Sequence, residues 1–260
     1  MLTKTRLITP VLLLIFGLQL HAQSPATERE LESEKEYKSN FIKLNLTSLF
    51  FKSYSLQYER VLNKTVSVAA AFNSMPSTSI PFKNLILKEV GDEPDTKEVI
   101  EKLRLSNVSF TPEVRFYLGK KGYGRGFYLA PFYRYSNFTV NNLQFEYNSA
   151  TTQQNTIDLS GNFKSHTGGL LLGAQWAVGK SMCIDWWILG PHYGKGSGLL
   201  SGVSSRPLTA SEQQDLRQEL EDLDIPLTEK TVTVNAGGAS MQLDGPWAGV
   251  RAGISLGIRF

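Results

Sequence analysis

Two histidines and their polar neighbours are the residues in this sequence whose types could form a hydrolytic site. His166 and His192 could act as general bases, and Ser165 or Asp158 could complete a nucleophilic or acid–base pair. Neither histidine lies in a recognisable nucleophile motif, and histidines outside such motifs are more often solvated or interfacial than catalytic. We therefore predict no catalytic residue.

Metal and cofactor sites require spacings that the sequence does not offer. Cys183 is the single cysteine, which excludes an intrachain disulfide and a cysteine-based zinc cluster. The glycine-rich stretch 190–196 is one residue shorter than a phosphate-binding loop, and Gly196 stands where a serine or threonine would bind magnesium. We predict no metal and no cofactor.

Seven charged residues are spaced so that they would meet inside a closed sheet. Each lies on the polar face of an alternating segment: Lys43, Glu59, Glu113, Arg115, Arg134, Asp185 and Arg251. Because an unpaired buried charge is very costly, these side chains must pair in such an interior. The spacing predicts a structural ion-pair network, with a gated ion path as the alternative. An eight-stranded bore is narrow enough for side chains to fill, which favours the network.

The elements that position these charges are segments with a period of two. In residues 248–260 every even-numbered position is apolar, and every odd-numbered position is glycine, serine or arginine. This is the periodicity of a β-strand and not of a helix. The same alternation predicts eight strands, which lie within 42–50, 54–59, 66–73, 108–118, 127–136, 169–178, 182–188 and 248–260.

Composition and loop lengths indicate where these strands lie. The chain has 22 Gly, 14 Phe, 10 Tyr and 4 Trp, a mixture that suits strands with small residues on one face and large rings on the other. A soluble β-sandwich would also alternate, with the apolar face as its core. Here, however, small residues and isolated charges fill the polar faces, and short turns alternate with long connections. The sequence therefore predicts an all-β fold: an eight-stranded antiparallel transmembrane β-barrel with short periplasmic turns and long external loops.

The N-terminus has the pattern of a cleavable secretory signal peptide. Lys4 and Arg6 precede an apolar run over 11–20 that is too short for a membrane anchor, and Ala22 offers a small residue for cleavage. Without the two basic residues, 25 basic side chains face 24 acidic ones, so the composition does not imply nucleic acid binding. We predict three regions: a signal peptide over 1–22, a charged periplasmic segment over 23–40 and a barrel over 41–260.

Two stretches resemble outer-membrane proteins. The last strand, which alternates glycine and apolar residues and ends in Phe260, resembles the C-terminal assembly signal of Gram-negative outer-membrane proteins. The stretch KLNLTSLFFKSYSLQYERVLNKTVSVAAAF, residues 43–72, resembles the opening hairpins of small outer-membrane barrels common in Bacteroidota, a domain family of unknown function similar to OmpA/OmpX-type eight-stranded barrels. The resemblance implies the cell outer membrane as location and outer-membrane lipid and the barrel-assembly machinery as partners. It brings no catalytic residues.

The long connections are the remaining candidates for function. Thr209 and Glu212 form a capping box before Leu216 and Leu220, which predicts a helix in the connection over 190–245. Such loops either cover the barrel mouth or bind a protein or glycan partner. We expect a non-catalytic outer-membrane barrel with a structural or surface-interaction role. Two alternatives remain, a lipid-modifying enzyme of the outer leaflet that uses the histidines and a small-solute channel.

Overall fold

A computed structural model describes residues 38–89, 94–147, 155–223, 225 and 227–260. Residues 39–260 form one compact unit. The predicted signal peptide, and the predicted charged segment up to residue 37, lie outside the described residues.

Antiparallel strands make up most of the described chain, and four helices lie between them. The strands are β1 Asn40–Asn45, β2 Tyr54–Val61, β3 Val66–Thr78, β4 Arg104–Tyr117, β5 Gly126–Tyr147, β6 Asn155–Val178, β7 Met182–Val203, β8 Glu229–Asn235 and β9 Gly238–Arg259. The helices are α1 Leu46–Phe50, α2 Lys83–Glu89, α3 Pro94–Lys102 and α4 Ala210–Asp222.

The strands form one antiparallel sheet that closes into a ring. Its order is β1-β2-β3-β4-β5-β6-β7-β9-β8, and β1 also pairs with β9, where Phe41 lies opposite Arg259. The closed circuit consists of β1 to β7 and β9. β8 pairs with the first part of β9, from Gly238 to Asp244, ahead of the part that pairs with β1.

The predicted count of eight strands is wrong for the described sheet, which has nine. The additional strand is β8, which lies within the connection over 190–245, where we predicted a helix and no separate strand. A turn over 236–237 reverses the chain, and Gly238 has φ +146°, a conformation that favours glycine. The run 230–235 therefore pairs beside β9 as a hairpin partner.

The first predicted strand is also shorter than its pattern. It ends at Asn45, whose side chain accepts a hydrogen bond from the Ser48 backbone at 3.0 Å and so caps α1. A short side chain that hydrogen-bonds nearby backbone groups favours a helix start over a continued strand. The apolar residues after Asn45 consequently lie in a single helical turn, not on the sheet.

The long connections predicted after the fifth and seventh strands contain much regular structure. β5, β6, β7 and β9 are 22, 24, 22 and 22 residues long and continue past the level at which β1 pairs with β9. Their far ends, together with β8 and α4, form what we call the sheet extension. It has its own apolar core, made by Tyr147, Ile157, Leu159, Leu200, Leu208, Leu216, Leu220, Val234, Ala239 and Met241.

Within the extension, the predicted capping box is confirmed. Thr209 accepts from the Glu212 backbone, the Glu212 carboxylate accepts from the Thr209 backbone, and α4 follows. Leu216 and Leu220 lie on the buried face of this helix. Glu212 also accepts from Arg206 at 2.6 Å, and this hydrogen bond raises the pKa of Arg206. The helix is thus fixed at its start and along one face.

The two faces of the ring have opposite character. Apolar side chains of alternate residues point outwards and are substantially exposed, for example Leu56 at 54% and Ile254 at 48%. The intervening polar residues point inwards, and several of them, such as Arg115 and Asp185, are completely buried. No helix in the described part of the chain is long and apolar enough to span a membrane.

Candidate functional site

The ring interior contains a cluster of charged and hydrogen-bonding side chains, which we call the interior ion network. Within the described chain, every strand of the closed circuit contributes to it. Its members are Lys43 of β1, Gln57 and Glu59 of β2, Ser67 of β3, Glu113, Arg115 and Tyr117 of β4, Tyr128 of β5, Gln175 of β6, Asp185 and Trp187 of β7, and Arg251 of β9.

Lys43 occupies one side of this network. Its Nζ donates to carboxylate oxygens of Glu59 and of Asp185, the latter at 2.8 Å, and to the amide oxygen of Gln175. All three charged side chains are fully buried. Buried charges are stable only when they are paired and hydrogen-bonded. These contacts meet that requirement for the ammonium of Lys43 and for the two carboxylates.

Arg115 lies at the centre and joins three carboxylates. Its Nη1 donates to Asp185 at 2.7 Å and to Glu59 at 3.1 Å, while Nε donates to Glu113 at 2.7 Å. Its guanidinium also lies 4.4 Å from the ring centre of Tyr128. A planar group with five donors suits this position, since a lysine ammonium could not reach all three carboxylates in fixed directions.

Glu113 links this centre to Arg251. Arg251 Nη1 donates to Glu113 at 2.9 Å, and the guanidinium lies 4.5 Å and 4.6 Å from the ring centres of Phe132 and Trp187. Arginine stacks on aromatic faces in this way because its charge is delocalised over a plane. The network therefore extends from the β1 side of the ring to β9.

Two tyrosines in the network were not among the predicted site residues. Tyr117 donates to Glu59 at 2.7 Å, and Tyr128 donates to Asp185 at 2.7 Å. The alternation in the sequence could have identified them. Tyr117, for example, has the same parity as Arg115 and therefore faces the same side of β4. Both were left out because the predicted network comprised only side chains with a formal charge.

Small residues make room for these long side chains. Gly257 pairs with Lys43 across the β1–β9 ladder, and a Cβ at Gly257 would come within 2.7 Å of Lys43 Cγ. Gly173 pairs with Tyr128, and a Cβ there would overlap the Tyr128 hydroxyl. The alternation of glycine with large residues thus has a packing reason inside the ring.

Six of the seven predicted charged residues meet in the network, and Arg134 is the exception. It donates to the hydroxyls of Ser136 at 3.2 Å and of Thr111 at 3.3 Å. In the part of the chain that the structure describes, no carboxylate lies within ion-pair distance of it. Arg134 instead lines a cavity next to the network.

This cavity, which we call the interior cavity, has a volume of about 590 Å³. Arg134, Arg251, Trp187 and His192 form part of its lining, and the segment 45–53 between β1 and β2 forms another part. Towards the sheet extension it is bounded by an aromatic cluster. That cluster consists of Trp247 with Phe138 and Phe163, at centroid distances of 5.4 and 4.7 Å.

The two histidines lie apart. His166 points to the outside of the ring, where its Nδ1 shares a 2.5 Å hydrogen bond with Tyr133. His192 points inwards because a bulge between Trp187 and Gly190 reverses the parity of β7. Ser165 is buried on the inner face of β6 but pairs with Gly196, four residues along β7 from His192.

No hydrolytic pair is therefore assembled from the predicted candidates. Asp158 lies exposed on β6, beyond Ser165 in the sheet extension. Among the described residues, no group of three His, Cys, Asp or Glu side chains could hold a metal ion.

Phe260 lies where the ring closes. Its backbone N–H donates to Asn40 at 2.9 Å and its carbonyl accepts from Asn40 at 3.0 Å, while its side chain is half exposed. The neighbouring Arg259, which shares the parity of the network residues, donates to the Lys180 carbonyl at the short-turn end of the ring. The terminal residues thus complete the β1–β9 junction.

Comparison with known proteins gives one family. The sequence profile described as "Protein of unknown function (DUF3575)" matches residues 11–193, which is more than half of the chain. No curated protein and no solved structure matches the chain.

Proposed function

The chain belongs to the family of proteins of unknown function DUF3575, and we propose that it is a non-catalytic β-barrel that spans an outer membrane. In this proposal the ring is the membrane-spanning part, and the sheet extension lies outside the cell. The role is structural or interactive: it maintains the envelope and presents the extension to a protein or glycan partner. The resemblance to OmpA/OmpX-type barrels and an origin in Bacteroidota belong to the same proposal.

The observation that carries the proposal is the inverted polarity of the ring. On each strand of the closed circuit at least one large apolar side chain points outwards and is more than a third exposed: Leu44, Leu56, Val68, Phe116, Phe127, Leu172, Trp186 and Leu256. Charged residues fill the interior. Water would disfavour this arrangement, because exposed apolar area costs free energy in proportion to its extent. A lipid environment makes the same surface favourable.

Aromatic residues support the placement. Phe127, Trp176 and Trp186 lie on the outer face near the end with the short turns. Tyr133 and Tyr193 lie on the outer face farther along the strands. Rings at both ends of an apolar band are typical of proteins that cross an outer membrane, where they occupy the two interfaces.

The connections support an orientation. The β2–β3, β4–β5 and β6–β7 turns lie at the same end of the ring as Asn40 and Arg259. In outer-membrane barrels short turns face the periplasm and long connections face outwards. A leader that directs export would fit this orientation, since the chain would enter from the periplasmic side.

The interior ion network favours a closed barrel over the channel alternative. Lys43, Arg115 and Asp185 pair with one another across the middle of the ring and are fully buried. Such paired charges occupy the space that a conducting path would need. The enzyme alternative is weaker because His166 and His192 lie on opposite faces of the sheet.

Two measurements test the proposal. Cells that express the full chain are fractionated, and the protein is expected in the outer membrane, with a heat-dependent change in gel migration that folded barrels display. A soluble periplasmic product would contradict the proposal. For the enzyme alternative, both histidines are replaced and lipid A is examined by mass spectrometry. We expect an unchanged acylation pattern, and a changed one would favour the enzyme.

A further inference from the structure

The charges that face the ring interior do not balance. Among the described residues, the interior ion network and the adjoining cavity hold four cationic side chains and three carboxylates. The cations are Lys43, Arg115, Arg134 and Arg251, and the carboxylates are Glu59, Glu113 and Asp185. Each carboxylate already contacts two cations. Glu59 and Asp185 both contact Lys43 and Arg115. Glu113 contacts Arg115 and Arg251. One positive charge, that of the partly buried Arg134, is therefore left without a carboxylate partner at the cavity, and an anion bound there would compensate it.

Arg251 lines the same cavity and has donors without an acceptor. It is 6% exposed, and only its Nη1 is engaged, in the ion pair with Glu113. Within the described residues, its Nε and Nη2 are buried and have no acceptor. These two nitrogens lie on one edge of the guanidinium, and their N–H groups point in parallel. Such an edge matches the two oxygens of a carboxylate.

Arg134 and His192 are the other two basic side chains of the lining. Arg134 and Arg251 both line the cavity, so an anion between them would offset the repulsion of their two positive charges. His192 Nδ1 is buried and has no partner among the described residues. A Cβ at Gly249 would come within 2.7 Å of His192 Nε2, so glycine at this position keeps space for the imidazole ring.

Aromatic rings supply flat apolar walls in a lining that also carries hydroxyl and amide side chains, those of Asn45, Thr47, Ser48, Ser53, Ser55, Asn73 and Ser136. Trp187 lies beside Arg251, and Phe138 and Trp247 line the cavity on the side of the extension. A volume of about 590 Å³ is in the range of small-molecule sites, which combine apolar walls with a few convergent polar groups. Aromatic walls suit a flat apolar body attached to the anionic group.

From these contacts we propose that the interior cavity binds a small organic carboxylate with a flat apolar body. The carboxylate lies between Arg134 and the Nε–Nη2 edge of Arg251, and the apolar body packs against Trp187 and the Phe138–Trp247 cluster. A single negative charge matches the single uncompensated cation, which favours a carboxylate over a phosphate dianion. This site requires the closed ring, but it does not require that the ring lies in a membrane.

The test uses the purified full chain in detergent and isothermal titration with benzoate, benzamide and inorganic phosphate, each corrected by a titration into detergent alone. Benzoate is expected to bind at least about tenfold more tightly than benzamide, its uncharged analogue, because a charge-assisted hydrogen bond is lost. Equal affinities for benzoate and benzamide, or no binding of benzoate, would overturn the site. Tighter binding of phosphate than of benzoate would overturn its assignment to carboxylates.

Variants locate the binding. Arg134→Gln should weaken benzoate binding at least about tenfold, and Arg134→Lys should recover part of it. Arg134 makes no contact with the network carboxylates, so this variant is expected to fold, which heat-dependent gel migration checks in each sample. Arg60→Gln, at an exposed arginine bonded to Asn40, is the matched control and should bind as the wild type does. Binding that survives in Arg134→Gln would refute the assignment, even if the protein is found in the outer membrane.

Discussion

Arg115 of β4 and Asp185 of β7 meet across the ring interior, with Arg115 Nη1 2.7 Å from Asp185 Oδ2, although 70 residues separate them in the chain. Neither strand is a neighbour of the other in the sheet. The contact therefore exists only because the sheet closes. The interior ion network acts as a set of connections between opposite walls, and its loss should weaken closure more than it weakens any single hairpin.

Replacing Asp185 with asparagine should destabilise the ring strongly. The change keeps the shape of the side chain but leaves Arg115 and Lys43 with one fewer carboxylate, and breaking a buried pair in this way typically costs about 3–5 kcal/mol. A urea titration with heat-dependent gel migration as its readout measures the urea concentration at the midpoint of unfolding. Asp158→Asn, at an exposed position on β6, is the control and should leave the midpoint unchanged. Equal midpoints for the two variants would argue against a structural role for the network.

Adding one methyl group at Gly173 should also destabilise the protein. The new Cβ would overlap the Tyr128 hydroxyl, which donates to Asp185, and forced overpacking costs about 1–3 kcal/mol. Gly119→Ala provides the control, since nothing lies within 4 Å of a Cβ at that position. The same urea titration serves for both. If Gly173→Ala were as stable as Gly119→Ala, the close packing between β5 and β6 would be disproved.

A charge on the outer face should distinguish lipid from water. Ile254→Lys places an ammonium in the middle of the proposed apolar band, where it is expected to cost about 2–4 kcal/mol in a bilayer. Leu199→Lys is made on the outer face of the sheet extension, which we place outside the membrane, and should change stability by about 0.5 kcal/mol or less. Unfolding in lipid vesicles measures both. Comparable costs at the two sites would count against the proposed placement.

The wild-type protein should not conduct ions steadily. The paired, fully buried side chains of Lys43, Arg115 and Asp185 occupy the middle of the ring. Planar bilayer recordings with purified protein are expected to show no steady unitary conductance above that of a detergent blank. Steady unitary steps would refute the closed interior and revive the channel alternative.

The sheet extension should have a stability of its own. Leu216→Ala removes a fully buried side chain from its apolar core, and such truncations cost about 2–5 kcal/mol. Because this core is distinct from the ion network, we expect faster proteolysis within 205–228 with unchanged heat-dependent migration of the ring. Leu223→Ala, at a partly exposed position after α4, is the comparison and should be cleaved like the wild type. Loss of the ring together with the extension would show that the two cores are not independent.

Much of the ring could be predicted from the sequence because its signal is local. In 248–260, the strict alternation of apolar residues with glycine, serine and arginine sets which side chains share a face, and β9 carries that pattern. The same parity placed Lys43, Glu59, Arg115 and Asp185 on the inner faces. A strand has a period of two, so one misplaced residue would reverse the whole face, and this makes the pattern informative.

The extension and the cavity depended on features that no local pattern reveals. Beyond the ring the inner face of the same strands becomes apolar, because α4 covers it there, so Ile157 and Met241 are buried where ring positions of equal parity are polar. A bulge in β7 reversed the parity before His192 and brought it inside. The sequence by itself determined which residues alternate and which charges need partners. Only the tertiary structure decided that six of those charges pair with one another while Arg134 does not, because pairing depends on which walls face each other once the sheet has closed.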